Sequence, residues 1–241
     1  MNPALTIWRK ECRSFLRAPI AWCIFAGFTA VCGVLFTAAL RRANGSTDSL
    51  PAVLCTQLVL ALCIPIALFT MSLFSTEKAT GTIETLMTAP VTDAQVVMGK
   101  FAAAFTLVCM SLVFAFSIFP VYLHLATPPP AYSPLSLYIG MVAVTFCAAT
   151  GCALGTLISL LSRQQAPAAI TTLLMTLASA AAFTDAIPGF NGIGFLKAFN
   201  VADFARGTAD TRIGFATVST LIFLLFIAIR ILESRRWSSV K

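Results

Sequence analysis

The sequence predicts an all-α membrane protein with six transmembrane helices, and three observations carry that expectation. Apolar residues make up 59% of the 241-residue chain and charged residues 10%, where a soluble domain runs about 45–50% and roughly 25%. The apolar excess is gathered into runs, several longer than the roughly 18 residues that mark a spanning helix. The basic residues flank those runs unevenly. With both ends placed inside, the inner segments hold Arg9, Lys10, Arg13, Arg17, Lys78, Lys100, Arg163, Arg230, Arg235, Arg236 and Lys241, and the outer ones hold Arg41, Arg42, Lys197, Arg206 and Arg212. That is eleven against five, in the direction the positive-inside rule requires. Two basic ends on one side need an even number of spans.

The elements follow in order. Residues 1–17 are polar and basic, with Leu5, Trp8, Cys12 and Phe15 at helical spacing and Arg9, Arg13 and Arg17 on an i, i+4 row. This describes an amphipathic helix lying in the headgroup layer with Trp8 at the interface; a plain positive flank that sets orientation is a compatible reading. The first apolar run is of full spanning length and no small-x-small site follows it, so a retained helix is expected and not a cleaved signal. Residues 18–241 then form one membrane domain.

Span one covers about 19–40 and ends at Arg41 and Arg42, followed by a short loop with the turn-forming Asn44-Gly45. Span two covers about 52–74, with Pro65 in its middle predicting a kink or break. Span three covers about 101–125, and the connection after it contains Pro128-Pro129-Pro130. Span four, about 135–161, holds Gly151 and Gly155, a small-xxx-small pair that lets another helix come close. Span five, about 167–183, is rich in Ala and Thr and is the weakest of the six. Span six covers about 213–232.

Two of the connecting segments do not read as plain loops. Residues 75–100, STEKATGTIETLMTAPVTDAQVVMGK, are punctuated by Gly81 and stopped at Pro90. Ile83, Leu86 and Met87 fall on one side of a short helix and Glu84 on the other, and Thr92-Asp93-Ala94-Gln95 fits a capping box for the helix leading into span three. A short amphipathic helix held between two breaks would serve a cytoplasmic partner as a lever; an ordinary connector has the same pattern, and patterning alone leaves both open. Residues 184–212 are too apolar for a solvated loop and too interrupted by Pro188, Gly189, Gly192 and Gly194 for a span. Short helices dipping into the outer leaflet fit both facts.

The run Glu77-Lys78-x-x-Gly81-Thr82-Ile83-Glu84-x-Leu86-x-x-x-Pro90-Val91, followed by Gly99-Lys100, resembles the signature of the permease subunits of type-two ABC exporters. Within that group it resembles most the gliding-motility and nitrous-oxide-reductase-maturation permeases. The opening Lys10-Glu11-x-Arg13-Ser14-Phe15 with Pro19-Ile20 resembles the family's start, and Phe204-x-Arg206-Gly207-x-x-Asp210 its stretch before the last helix. The resemblance implies that Glu77, Gly81, Thr82, Ile83, Glu84, Leu86 and Pro90 belong to a coupling helix docking on a separate cytoplasmic ABC ATPase. It implies that Trp8, Arg9, Arg13 and Arg17 belong to an interfacial helix, with membrane lipid around it. Phe204, Arg206, Gly207 and Asp210 would belong to re-entrant outer helices before span six. A second permease copy or a related permease would complete the pathway. ATP and Mg would be bound by the ATPase, with no cofactor in this chain. The implied setting is the bacterial inner membrane, with both termini cytoplasmic.

The remaining composition removes other classes. No G-x-x-x-x-G-K-[ST] run occurs, so the energy for transport has to come from another subunit. His124 is the single histidine, which excludes bis-histidine haem within one chain. The eight cysteines fall almost entirely in apolar runs without a C-x-x-C pair and read as small packing residues. No basic, aromatic-interleaved polar patch suggests nucleic acid. No charge lies in the middle of a span, which disfavours ion-coupled carriers, proton channels and intramembrane proteases. A membrane anchor or scaffold without its own pathway fits the missing mid-span charges almost as well as an exporter does.

Overall fold

The computed structural model describes residues 3–43, 50–81, 91–125, 134–184 and 211–238, and these fold into α-helices and short turns with no strand among them. In chain order the helices are α1 (Pro3–Arg17), α2 (Pro19–Ala43), α3 (Leu50–Thr70), α4 (Ser72–Ala79), α5 (Asp93–Leu125), α6 (Pro134–Leu161), α7 (Gln165–Thr184) and α8 (Thr211–Ser238). Among the described residues five helical stretches are long and apolar enough to cross a membrane: Pro19–Ala38, Pro51–Ala79, Asp93–Ser117, Leu135–Leu161 and Gly214–Ser234. The expected fifth span corresponds to α7, whose apolar part, Gln165–Ala181, is the shorter one. The protein is thus a multi-pass membrane protein, helical throughout its described spans.

Several helices run past the apolar stretch that predicts them. α5 starts at Asp93, not near Phe101, because Thr92 nucleates it: the Thr92 amide donates to Gln95 Oε1 at 3.2 Å and the Gln95 amide to Thr92 Oγ1 at 3.4 Å. This is the capping box expected from the sequence. The junction of α1 and α2 is set by Pro19, which cannot supply the amide that would continue α1. The Ala18 amide takes the Phe15 carbonyl at 3.0 Å, and the Trp22 indole takes the Leu16 carbonyl at 3.0 Å.

α3 lies at the centre of the bundle, packed against α2, α5, α6 and α7. It passes through Pro65 as helix, since surrounding helices sustain a proline in a membrane helix. The discontinuity falls instead at Met71. There Ser159 of α6 bridges it: its hydroxyl donates to the Met71 carbonyl at 3.2 Å and accepts the Phe74 amide at 3.1 Å. Ser75 donates its hydroxyl to the same carbonyl. The polar segment expected from Ser75 onward therefore begins as helix α4, a continuation of the second span to Ala79.

Close packing of α3 and α6 rests on the glycine pair. A Cβ built on Gly155 would lie 2.7 Å from Thr70 Cβ, and one on Gly151 would lie 2.9 Å from Ile66 Cδ1. With Ser159, these residues form one i, i+4, i+8 row facing α3. An aromatic chain then ties in the other helices: Phe69 meets Phe15 edge-on at 6.1 Å and Phe25 at 5.5 Å, and Phe25 meets Phe114 at 5.4 Å. Several buried hydroxyls along the spans fold back onto their own helix, as Thr70 does onto the Ile66 carbonyl and Ser111 onto the Leu107 carbonyl, which satisfies them without a partner helix.

Candidate functional site

α1, α4 and the start of α5 converge on one buried cation. Lys100 is 1% exposed. Its ammonium lies 2.8 Å from Glu77 Oε1 of α4 and 3.3 Å from Glu11 Oε1 of α1. It also donates to the Leu73 carbonyl and sits 4.9 Å above the Phe74 ring. A lysine is rarely buried without such partners. Here the ammonium uses its three protons on three different acceptors, two of them carboxylates on separate helices. The cluster carries one positive and two negative formal charges, and its two carboxylates are the more exposed members, at 15% and 17% of their side chains.

The neighbouring Gly99 explains how α1 comes near enough. A Cβ on Gly99 would lie 2.9 Å from the Ala4 carbonyl oxygen and 3.0 Å from Ile7 Cβ. Trp8 adds a hydrogen bond across the same interface, its indole donating to Thr106 Oγ1 at 3.1 Å. The Gly99-Lys100 pair thus has two separate jobs: the glycine admits the backbone of α1, and the lysine holds its Glu11. Gly99→Ala is expected to push α1 off α5, because the obstacle is a main-chain carbonyl that cannot swing away. A destabilisation of about 1–3 kcal/mol is expected from overpacking. Thermal unfolding of the purified chain, with cross-linking between Ala4→Cys and position 103 as the distance readout, checks it; an unchanged cross-linking rate would refute the close approach.

α4 is fixed at its far end as well. Lys78 donates to the Ser162 carbonyl, just past the end of α6, at 3.4 Å. The helix ends at Thr80, whose amide bonds the Thr76 carbonyl at 3.0 Å. Gly81 then takes a left-handed conformation at φ +72°, the usual way a chain leaves a helix. Residues 82–90 follow, and α5 begins at the capped Thr92. Whatever residues 82–90 do, both their flanks are held: one by Lys100, Lys78 and Ser159, the other by the capping box.

Of the site residues expected from the sequence, Glu77 and Gly81 are described, and Glu77 is a central member of the cluster. Thr82, Ile83, Glu84, Leu86 and Pro90 lie outside the described residues, as do Phe204, Arg206, Gly207 and Asp210. Arg9, Arg13 and Arg17 line the exposed face of α1. Leu5, expected on its apolar face, is 45% exposed; Ala4, Ile7, Trp8 and Glu11 meet α5 in its place, through the close approach to Gly99, the Trp8–Thr106 hydrogen bond and the Glu11–Lys100 ion pair. Cys12 is a packing residue: burial first, and then the adjacent Glu11 carboxylate, push its thiol above the usual range. Sequence reasoning did not see Glu11 and Lys100 as a pair, nor Ser159 as a bridge. The available signal was a lone lysine directly after a glycine at the mouth of an apolar run.

Comparison with known proteins gives one family. The ABC-2 family transporter protein model matches residues 5–190, most of the 241-residue chain. No curated protein matches. The matched region runs from the first turn of α1 through α7 and takes in every member of the Lys100 cluster. With its multi-pass helical fold and this match, the chain belongs to the ABC-2 transporter family and is a transmembrane permease subunit of an ABC exporter.

Proposed function

We propose that two permease chains, this one with a second copy or a related permease, form the pathway at their interface and are driven by a separate cytoplasmic ATPase. That ATPase binds ATP and Mg; this chain carries neither. Its docking element is the segment from Glu77 to Pro90, a coupling helix held between α4 and α5, with Thr82, Ile83, Glu84 and Leu86 at the contact. The single observation that supports this reading is the Lys100 cluster. It ties the base of that segment to α1 and to the third span at once, so a push on the segment is delivered to three helices together.

In this reading α7 is a full span, the fifth of six. Its 20 residues reach about 30 Å at 1.5 Å per residue, the thickness of the hydrocarbon core. The Lys100 end of the bundle then faces the cytoplasm of a bacterial inner membrane, both termini lie on that side, and α1 rests in the headgroup layer with its arginines toward lipid phosphates. Residues 184–212, with Phe204, Arg206, Gly207 and Asp210, close the outer side as re-entrant helices. The gliding-motility and nitrous-oxide-reductase-maturation permeases are the proposed subgroup, on the strength of the Glu77 to Pro90 run.

Co-purification with an ABC ATPase subunit expressed together with the chain tests the proposal. Deleting residues 82–86, or replacing Glu84 by Arg, is expected to abolish recovery of the ATPase in the complex while leaving the permease in the membrane. Full recovery of a coupled ATPase with the deletion variant would remove the lever assignment.

A further inference from the structure

On the side of α1 away from α5, Thr6, Arg9, Lys10, Arg13, Ser14 and Arg17 are all exposed and line one open groove. The four cations form no ion pair with any carboxylate among the described residues. The reason lies across the helix. Glu11 is the only acid of α1, and Lys100 holds it on the opposite side at 3.3 Å. The buried cluster thus takes the one negative charge of α1 away from the groove, and four like charges are left together on the outside.

The order of the residues divides the groove in two. Thr6, Arg9 and Lys10 fall within about one turn of helix, and Arg13, Ser14 and Arg17 within about the next. Each group brings two cations and one hydroxyl, a donor set suited to one phosphate. The centres of the two groups lie about 9 Å apart along the axis at 1.5 Å per residue. The corner that follows sets the depth. α2 begins at Pro19, and there Ile20 is 66% exposed and Trp22 52%. The Trp22 indole donates to the Leu16 carbonyl at 3.0 Å, so the end of α1 is tied to the level where apolar side chains first face outward, with a tryptophan at the boundary.

We infer that the groove of α1 is a selective site for anionic phospholipid and holds two phosphates at once, one at Thr6, Arg9 and Lys10 and one at Arg13, Ser14 and Arg17. This rests on the placement of α1 in the headgroup layer and goes beyond it. That placement suits any lipid, whereas a groove with four cations and no acid selects headgroups of net negative charge. A zwitterionic lipid brings its own cation to the groove along with its phosphate and gains little there.

The test uses the full-length chain in detergent, titrated with phosphatidylglycerol and with phosphatidylcholine of the same acyl chains, the bound lipids being counted by native mass spectrometry. Two molecules of phosphatidylglycerol are expected to bind, each held roughly thirtyfold more tightly than phosphatidylcholine, the ratio that two cations at a membrane surface support. Raising the ionic strength from about 0.1 M to about 1 M shortens the Debye length from about 10 Å to about 3 Å and is expected to remove most of that preference. Arg9→Gln with Arg13→Gln takes one cation from each group and is expected to lower the ratio to about fivefold. Both side chains are exposed, so the double variant is expected to unfold at the wild-type temperature in phosphatidylcholine. Arg163→Gln, at an exposed cation in the turn between α6 and α7, is expected to leave the ratio unchanged.

Equal binding of the two lipids, or a ratio unchanged in the double variant, would overturn the inference. A ratio lowered as far by Arg163→Gln would overturn it too, since net charge alone would then account for the preference. Displacement of phosphatidylglycerol by equimolar inorganic phosphate would give the groove to a free anion. Loss of the ATPase from the double variant, with the lipid ratio unchanged, would give it to an acidic protein surface. A spin label on Leu5→Cys reports whether α1 lies in the headgroup layer whatever the lipid charge, so a failure of that placement is distinguishable from a failure of the selectivity.

Discussion

Lys100→Met is expected to destabilise the protein by about 3 kcal/mol and to uncouple ATP hydrolysis from transport. The substitution keeps the length and apolar stem of the side chain, so packing against Phe74 survives. What goes is the cation between Glu11 and Glu77, which leaves two carboxylates facing one another. Removing one partner of a buried ion pair costs about 3–5 kcal/mol; the low end applies here because both carboxylates keep some access to water. Thermal unfolding in detergent measures the first effect, and ATPase stimulation in the reconstituted complex measures the second. The triple variant Glu11→Leu, Glu77→Leu, Lys100→Met separates structure from mechanism. Replacing a whole buried ion cluster by apolar groups is often neutral or stabilising, so the triple variant is expected to recover its unfolding temperature. If the cluster transmits force only by holding three helices together, coupling recovers as well. A wild-type unfolding temperature for Lys100→Met alone would show that the cation does not hold the helices.

How much of this was legible in the sequence depends on range. Local signals were clear. The capping box at Thr92 could be read because donor and acceptor lie three residues apart. The spans could be read because hydrophobicity summed over some twenty residues swamps single exceptions. Gly151 and Gly155 announced a close approach but not to what. Nothing within α6 says that Thr70 and Ile66 of α3 are the residues opposite. The Lys100 cluster was less legible still: Glu11, Glu77 and Lys100 come from three helices, and each alone reads as a charge flanking an apolar run. The positive-inside count treats Lys100 as an orientation signal, and a buried lysine gives the same count as a solvated one. The interruption at Met71 was not legible for a related reason. A proline is a local signal, whereas this interruption falls where Ser159 of another helix bonds the Met71 carbonyl and the Phe74 amide.

Gly155→Ala is expected to cost about 3 kcal/mol, although it adds a single methyl group and raises helix propensity by about 1 kcal/mol. The added Cβ would meet Thr70 Cβ at 2.7 Å and Cγ2 at 2.8 Å. Thr70 cannot rotate away: it is β-branched, fully buried, and its hydroxyl is bound to the Ile66 carbonyl at 2.7 Å. α3 and α6 therefore have to separate, and overpacking of this kind costs about 1–3 kcal/mol. The separation also reaches Ser159, one turn along the same row, whose hydroxyl bridges Met71 and Phe74. Losing that bridge adds about 1 kcal/mol per hydrogen bond and loosens α4, from which Glu77 reaches Lys100. Gly151→Ala makes the control. Its new methyl comes too close only to the Cδ1 end of Ile66, with Ile66 Cγ2 and Thr176 Cγ2 at ordinary contact distance; that end can turn aside, so a cost below about 1 kcal/mol is expected. Thr70→Gly in the Gly155→Ala background removes the obstacle and is expected to restore most of the unfolding temperature lost. Equal unfolding temperatures for Gly155→Ala and Gly151→Ala would show that the α3–α6 approach is not limited by Thr70, and would detach the glycine row from the bridge at Met71 and from the Lys100 cluster beyond it.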